Sequence, residues 1–131
     1  MQPIVLLYNL DDNTTLGRQV RRLCAVQKLR CRGVLPAQQG WPLSALLGGQ
    51  TTAGQPAAEP PAEPFTDPML VMAYFPQNKL DRLLRALRPL PPIPLKAVLT
   101  PHNADWSGTA LHAELLAEHR AFTAGQGGAH T

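Results

Sequence analysis

The chain has few cysteines, and they are not spaced to hold a metal ion. Only two of its 131 residues are cysteines, Cys24 and Cys31, and they do not form a C-x-x-C pair. His112 and His119 lie seven positions apart, which is about 10.5 Å along a helix at 1.5 Å per residue and too far for one metal. We therefore predict no metal ion and no cofactor, with both thiols reduced in the core of a cytoplasmic protein.

Long hydrophobic runs and familiar catalytic motifs are also missing. The longest apolar run, Met69–Phe75, is far shorter than the roughly 18 residues that span a bilayer. The first residues show no basic segment of a signal peptide. The phosphate-binding patterns G-x-x-x-x-G-K-[ST] and G-x-G-x-x-G do not occur, and neither does G-x-S-x-G. The sequence thus predicts no membrane segment and no catalytic residue set, and it favours a cytoplasmic protein that is not an enzyme.

Aromatic residues are scarce, whereas basic residues are frequent. The chain has two Trp, two Tyr and three Phe, and its net charge is +3. Outside positions 50–67, twelve basic residues face six acidic ones, a net charge of +6. Such a charge favours an acidic protein partner or a nucleic-acid backbone, but the scarcity of aromatic residues disfavours nucleic acid. The candidate interaction surface consists of arginines at helical spacing in both halves of the chain: Arg18, Arg21, Arg82 and Arg85.

The two halves of the chain repeat one order of predicted elements. Each half contains an apolar strand, an amphipathic helix, an alternating strand, a tryptophan and a further helix. The halves align at an offset of 64, with one residue inserted before the tryptophan. The aligned pairs include Leu6 with Leu70, Arg32 with Lys96, and Trp41 with Trp106. This repetition predicts an internal duplication of a β-α-β-α unit.

The composition along the chain predicts where the parts of a single domain (1–131) begin and end. The first repeat covers 1–49 and the second covers 68–123. Between them, 50–67 is rich in proline and predicts a flexible linker. The glycine-rich residues 124–131 predict a disordered tail.

The predicted fold is α+β, with the duplicated units forming one four-stranded sheet. A ferredoxin-like arrangement places the apolar first strands in the centre and the second strands, with Arg32 and Lys96, at the edges. It also leaves one sheet face open, and both that face and the edges could pair copies into a homo-oligomer. The alternative is a small parallel α/β sheet with helices on both faces.

The segment from Lys96 to Trp106 carries the most specific motif. Its pattern K-A-x-x-T-x-x-N-x-x-W, followed by L-x-x-E-L from Leu111, resembles a small bacterial family catalogued as domain of unknown function 3783. The resemblance is clearest over residues 69–119 and implies no activity. In the first half, Pro36 and Gln39 stand at the positions of the Thr and the Asn, so only the second half carries the motif.

Four motif residues form a candidate ligand site: Lys96, Thr100, Asn103 and Trp106. The lysine would supply charge, the Thr and Asn hydrogen bonds, and the indole a flat apolar wall, which together suit a small anion. The general preference of these residue types for caps and turns favours a structural interpretation instead, in which Thr100 and Asn103 cap a turn and Trp106 packs at the start of the last helix.

These features favour a non-catalytic binding or regulatory domain that acts through a protein partner or a small anionic ligand. One alternative is a small enzyme that acts at Lys96, Asn103 and Trp106. Another is a nucleic-acid-binding accessory protein that uses the arginine-rich helix faces.

Overall fold

The computed structural model describes residues 2–48 and 63–130, with side chains up to Ala121. Most of the predicted linker therefore lies outside the described residues. The elements in chain order are β1 (Ile4–Tyr8), α1 (Thr15–Val26), β2 (Arg30–Val34), a 3-10 turn (Pro36–Gln38), α2 (Leu43–Gly48), β3 (Met69–Ala73), α3 (Gln77–Leu87), β4 (Leu95–Val98) and α4 (Gly108–His130). Helix α4 continues past Thr123 to His130, whereas the sequence predicts that the second repeat ends at Thr123.

The strands form one mixed sheet in the order β2-β1-β3-β4. Strand β1 runs parallel to β2, and β3 runs parallel to β4, whereas the central pair β1 and β3 is antiparallel. The apolar first strands are central and the second strands are at the edges, as predicted.

The ferredoxin-like connectivity predicted above differs from the observed one. That arrangement inserts another strand between the two strands of each β-α-β unit, but β1 hydrogen-bonds directly to β2 along its length. A fully parallel sheet is also excluded, because β1 and β3 run in opposite directions.

Helices cover both faces of the sheet, because the central strands are apolar on both sides. One cluster joins Val5, Leu7, Leu70 and Met72 to Val20 and Cys24 of α1 and to Leu83 and Leu87 of α3. The other cluster joins Leu6, Tyr8, Met69 and Val71 to Leu43 and Leu46 of α2 and to Leu111 of α4. The open sheet face expected from a ferredoxin-like fold is therefore absent, and each face has its own apolar layer.

Residues 65 positions apart occupy equivalent places in the sheet and in the turns that follow it. Strand β1 (4–8) corresponds to β3 (69–73), and Leu6 pairs with Val71 at the centre of the antiparallel contact. The N–H of Ser44 donates to the carbonyl of Ala104 over 2.9 Å, and the N–H of Thr109 donates to the carbonyl of Gln39 over 2.9 Å. Ser44 corresponds to Thr109 and Gln39 corresponds to Ala104, so each of these bonds is the equivalent of the other. The two halves are therefore related by an approximate twofold rotation.

Because equivalent positions lie 65 residues apart and not the predicted 64, Arg32 and Lys96 lie on opposite faces of the sheet. The predicted offset of 64 placed Arg32 on Lys96, but the strand registers place Arg32 beside Leu6 and Lys96 beside Leu70. Leu6 belongs to the α2/α4 layer and Leu70 to the α1/α3 layer. Consecutive strand residues point to opposite faces, so a shift of one residue reverses the side.

Candidate functional site

Thr100 and Asn103 form a closed turn directly after β4. Asn103 is only 9% exposed. Its Oδ1 accepts from the Thr100 N–H over 2.8 Å, and its Nδ2 donates to the Val98 carbonyl over 3.1 Å. The Asn103 N–H in turn donates to Thr100 Oγ1 over 3.2 Å. These bonds tie the end of β4 to the turn, as the structural interpretation of the motif predicts.

The first half contains a similar turn, one residue earlier than the sequence alignment placed it. The Leu35 N–H donates to Gln38 Oε1 over 3.0 Å, which matches the bond between Thr100 and Asn103. Gln38, and not Gln39, is therefore the structural counterpart of Asn103.

Gln39 has a different role, which the sequence did not reveal. Its side chain is fully buried and binds the backbone of Phe65 twice, donating from Nε2 over 3.1 Å and accepting at Oε1 over 3.0 Å. A buried glutamine in a loop has no distinctive sequence signal, because its partner lies 26 residues away in a segment with no periodic pattern.

Residues 63–67 lie against the end of β1 and are called the strap below. Asn9 Nδ2 donates to the Phe65 carbonyl over 2.8 Å and to the Asp67 carbonyl over 3.0 Å. The Phe65 ring stacks on Tyr8 and on His112, with centroid distances of 5.7 and 4.0 Å. His112 Nε2 lies 2.9 Å from a carboxylate oxygen of Asp67. The C-terminal end of the predicted flexible linker is thus held in place by polar and stacking contacts.

Tyr8 is buried beneath the strap. A Cβ at Gly108 would lie 2.5 Å from the Tyr8 ring, so this position at the start of α4 requires glycine. The Tyr8 hydroxyl has no hydrogen-bond partner among the described residues, and burial raises the pKa of the phenol. The Tyr8 side chain therefore packs in the core of the α2/α4 layer.

Trp106 packs in the α2/α4 layer and links the two halves. It is half-buried and contacts the same cluster as Leu111, which fits the predicted packing at the start of the last helix. Its carbonyl accepts from the Leu43 N–H of α2 over 2.9 Å. The ring meets His102 edge-on at 5.3 Å.

Lys96 lies on the other side of the sheet. It is half-buried, and its Nζ donates to the Ile93 carbonyl. It lines a cavity of about 290 Å³ together with Arg88 and apolar residues of α3 and the following loop. Burial lowers the pKa of Lys96. Among the four predicted ligand residues, the structure thus brings Thr100 and Asn103 together, whereas Lys96 and Trp106 face opposite layers.

The predicted arginine surface lies on α1 and α3, but one member is an internal contact. Arg21 is half-buried; its Nε donates to the Leu10 carbonyl over 3.1 Å and lies 3.1 Å from an Asp12 carboxylate oxygen. Arg18 is exposed and donates to the Asp12 carbonyl over 3.0 Å. Arg82 and Arg85 are exposed and form no ion pair with the described residues.

Six exposed cations make up what we call the cationic face. They are Arg18, Arg22, Lys79, Arg82, Arg85 and Arg88. The two helices contain a single acidic residue, Asp81. Helix α4, on the opposite side of the sheet, exposes Glu114 and Glu118. It also exposes one cation, Arg120, so among the described residues the excess of positive charge lies on the α1/α3 side of the sheet.

An apolar groove runs between α1 and α3 on the cationic face. It has a volume of about 390 Å³, and Leu23, Val26, Ala86 and Leu90 form its apolar part, with Gln19, Arg22 and Gln27 at its polar edge. Val26 is 75% exposed. Such exposure of a large aliphatic side chain beside other apolar residues is typical of an interaction surface.

The two thiols are adjacent and free. Cys24 of α1 is buried, and Cys31 of β2 is half-buried. Burial, reinforced by the neighbouring Cys31, raises the pKa of Cys24 from 9.0 to about 12. Within the described residues, no three His, Cys, Asp or Glu side chains group as metal ligands, and no helix is long and apolar enough to cross a membrane.

Comparison with known proteins bears on the second half of the chain. No curated protein and no solved structure matches the chain. The K-A-x-x-T-x-x-N-x-x-W motif lies within the one segment for which a family match is found. Residues 68–122 match the family described as Domain of unknown function (DUF3783), which confirms the resemblance for that segment.

Proposed function

We propose that the protein is a non-catalytic binding module that holds an acidic, amphipathic protein segment on its cationic face. The observation that carries this proposal is the coincidence of six exposed cations with an apolar groove between the same two helices. The cations would attract and orient an acidic partner. Burial of apolar side chains in the groove would hold it after contact.

The groove favours a polypeptide over a nucleic acid. Leu23, Val26 and Leu90 offer apolar surface that a phosphate backbone cannot use. Helices α1 and α3 contain no aromatic residue on which bases could stack. An acidic helix with one apolar stripe satisfies both the charge and the groove.

The proposal includes an internal duplication. The offset of 65, the exchanged bonds between the halves and the two tryptophans support descent of both halves from one β-α-β-α unit. The cationic face would then combine the equivalent helix of each copy. We also propose a reducing, cytoplasmic setting, which the free thiols Cys24 and Cys31 support.

An enzyme acting at Lys96, Asn103 and Trp106 is the less favoured alternative. Lys96 and Trp106 face opposite layers of the sheet, and both polar groups of the Asn103 side chain are engaged in its own turn. A reaction at one centre requires its groups within hydrogen-bond reach of one substrate.

The proposal is tested by titrating the isotope-labelled protein with a synthetic acidic helix, observed by NMR. The helix carries Leu at every third or fourth position and Glu elsewhere; a scrambled peptide of the same composition and a ten-residue thymidine oligonucleotide serve as comparisons. We expect amide shifts confined to α1 and α3, and binding at least about tenfold weaker for the scrambled peptide.

Matched charge reversals separate a docking site from general attraction. Arg22→Glu with Arg85→Glu should weaken binding of the helix at least about tenfold. Arg30→Glu with Arg120→Glu makes the same change in net charge at exposed positions away from the groove, and binding should change less than about twofold. Equal losses in both variants, or tighter binding of the oligonucleotide than of the helix, would overturn the proposal.

A further inference from the structure

We propose that the cavity beside Lys96 binds a small monocarboxylate with an apolar body. The cavity lies between the end of α3, the loop that follows it and the start of β4. Leu84, Leu87, Leu90 and Ile93 supply its apolar walls, together with three of the four prolines of the loop. The cavity adjoins the proposed docking groove, with which it shares Leu90, but Lys96 lines the cavity alone, so this inference does not rest on the proposed function.

Two cations reach the cavity. The Lys96 ammonium donates one hydrogen bond to the Ile93 carbonyl, which leaves two of its three N–H groups for a ligand. Arg88 is exposed at the end of α3 and forms no ion pair with the described residues. Among the described residues, the half-buried ammonium has one carbonyl as its partner and no counter-charge, and a carboxylate would provide that charge.

The apolar walls determine what the rest of the ligand must be. A volume of about 290 Å³ lies just below the usual range for ligand pockets, roughly 300–1,000 Å³. A short alkyl chain or a single ring therefore fits, whereas a nucleotide does not. Because the walls are hydrocarbon, a ligand without an apolar body would leave them exposed to water.

The same loop disfavours phosphate. Pro91, Pro92 and Pro94 have no backbone N–H to donate to an anion. The N–H of Leu90 already donates to the Leu87 carbonyl over 3.1 Å. The negative end of the α3 dipole also lies here, and it disfavours a doubly charged phosphate more strongly than a singly charged carboxylate. A single negative charge held by Lys96 and Arg88 matches this limited supply of donors.

The depressed pKa of Lys96 supports the site and adds a second readout. Burial disfavours the ammonium form, and a bound carboxylate would favour it. A saturating carboxylate should therefore move the pKa of Lys96 upward, whereas a neutral ligand of the same shape should leave it low or lower it further.

The test is an NMR titration of the full chain with hexanoate, hexanamide and inorganic phosphate. Hexanoate should shift the amides around Arg88, Ile93 and Lys96 saturably, and hexanamide should bind at least about tenfold more weakly. Lys96→Met keeps an unbranched side chain that is one heavy atom shorter, removes the charge and should weaken hexanoate binding by a similar factor. Lys79→Met makes the same change on α3 at an exposed position outside the cavity, and binding should stay within about twofold.

Each result decides between the site and its alternatives. Equal binding of hexanoate and hexanamide would show that the cavity does not recognise an anion. Tighter binding of phosphate than of hexanoate would show that the ligand is not a carboxylate with an apolar body. Unchanged hexanoate binding in Lys96→Met, or no saturable shifts with hexanoate at all, would also overturn the proposal. If Lys96→Met does not fold, Arg88→Gln at an exposed position replaces it and should weaken hexanoate binding while leaving hexanamide unaffected.

Discussion

Tyr74 adopts a backbone conformation that is costly for a bulky residue. Its φ is 64°, in the left-handed region, and its counterpart Asn9 has a φ of 61°. Asparagine tolerates this region, whereas tyrosine rarely adopts it. The same turn after the central strand thus occurs in both halves, but only the first half has a residue suited to it.

Replacement of this tyrosine should reveal the strain. Tyr74→Asn and Tyr74→Ala both remove the half-exposed ring, but only asparagine suits a positive φ. We expect Tyr74→Asn to be more stable than Tyr74→Ala by about 1 kcal/mol, measured by urea denaturation. Equal stabilities of the two variants would contradict a backbone cost at this position that asparagine relieves.

Cys24 should make the folded state sensitive to alkaline pH. The unfolded thiol ionises near 9.0, while burial raises the folded pKa to about 12. Above about pH 9 the unfolded state therefore loses its proton first, so the free energy of unfolding falls as the pH rises. Tyr8 acts in the same direction, because burial raises its pKa from 10.0. Lys96 acts in the opposite direction, because its pKa is lowered.

Substitution of Cys24 tests whether its thiol causes the loss of stability at alkaline pH. Cys24→Val keeps a small apolar side chain and removes the ionisable thiol. Urea denaturation between about pH 8 and pH 10 should show a shallower loss of stability in this variant than in the wild type. An identical slope would mean that the Cys24 thiol titrates similarly in both states.

The turn after β4 illustrates how a motif stabilises an element. Asn103→Ala removes one acceptor and one donor from a buried turn and should cost about 1–3 kcal/mol in the free energy of unfolding. Gln38→Ala in the equivalent turn removes one acceptor at a half-buried position, so its cost should be smaller. Thermal or urea denaturation of both variants tests this order. The reverse order would contradict a structural role for the motif asparagine.

The positions of the elements follow from the sequence, but the side that each strand residue faces does not. An apolar strand followed by an amphipathic helix was predicted in each half, and these correspond to β1, α1, β3 and α3. Alternation places Lys96 and its neighbours on opposite sides of β4, yet it does not say which side meets which helices. The offset of 64 therefore placed Arg32 and Lys96 together, although one extra residue puts them on opposite layers.

The candidate site was predictable to a similar extent. The turn-capping interpretation of Thr100 and Asn103 follows from the known preferences of these residue types, and the structure shows those bonds. The bonds between Gln39 and Phe65 could not be predicted, because they depend on tertiary contact between a loop and the strap.

At the scale of the whole molecule, the sequence did not predict whether the central strands β1 and β3 run parallel or antiparallel. Strands buried on both faces have the same apolar composition whether their neighbours run parallel or antiparallel. The two predicted arrangements each contained part of the answer: central first strands in one, and helices on both faces in the other. The antiparallel pairing of β1 with β3 joins the two halves about an approximate twofold axis.

The excess of positive charge on the α1/α3 side of the sheet should affect how fast an acidic partner associates with the protein. With the cations of α1 and α3 on one side and Glu114 and Glu118 on the other, an approaching acidic segment would turn the molecule toward its groove before contact. We expect the association rate constant for the acidic helix to fall about tenfold between low and physiological salt, with the dissociation rate constant changing less than about twofold. Stopped-flow fluorescence measures both constants, and a salt effect confined to dissociation would mean that charge acts only after docking.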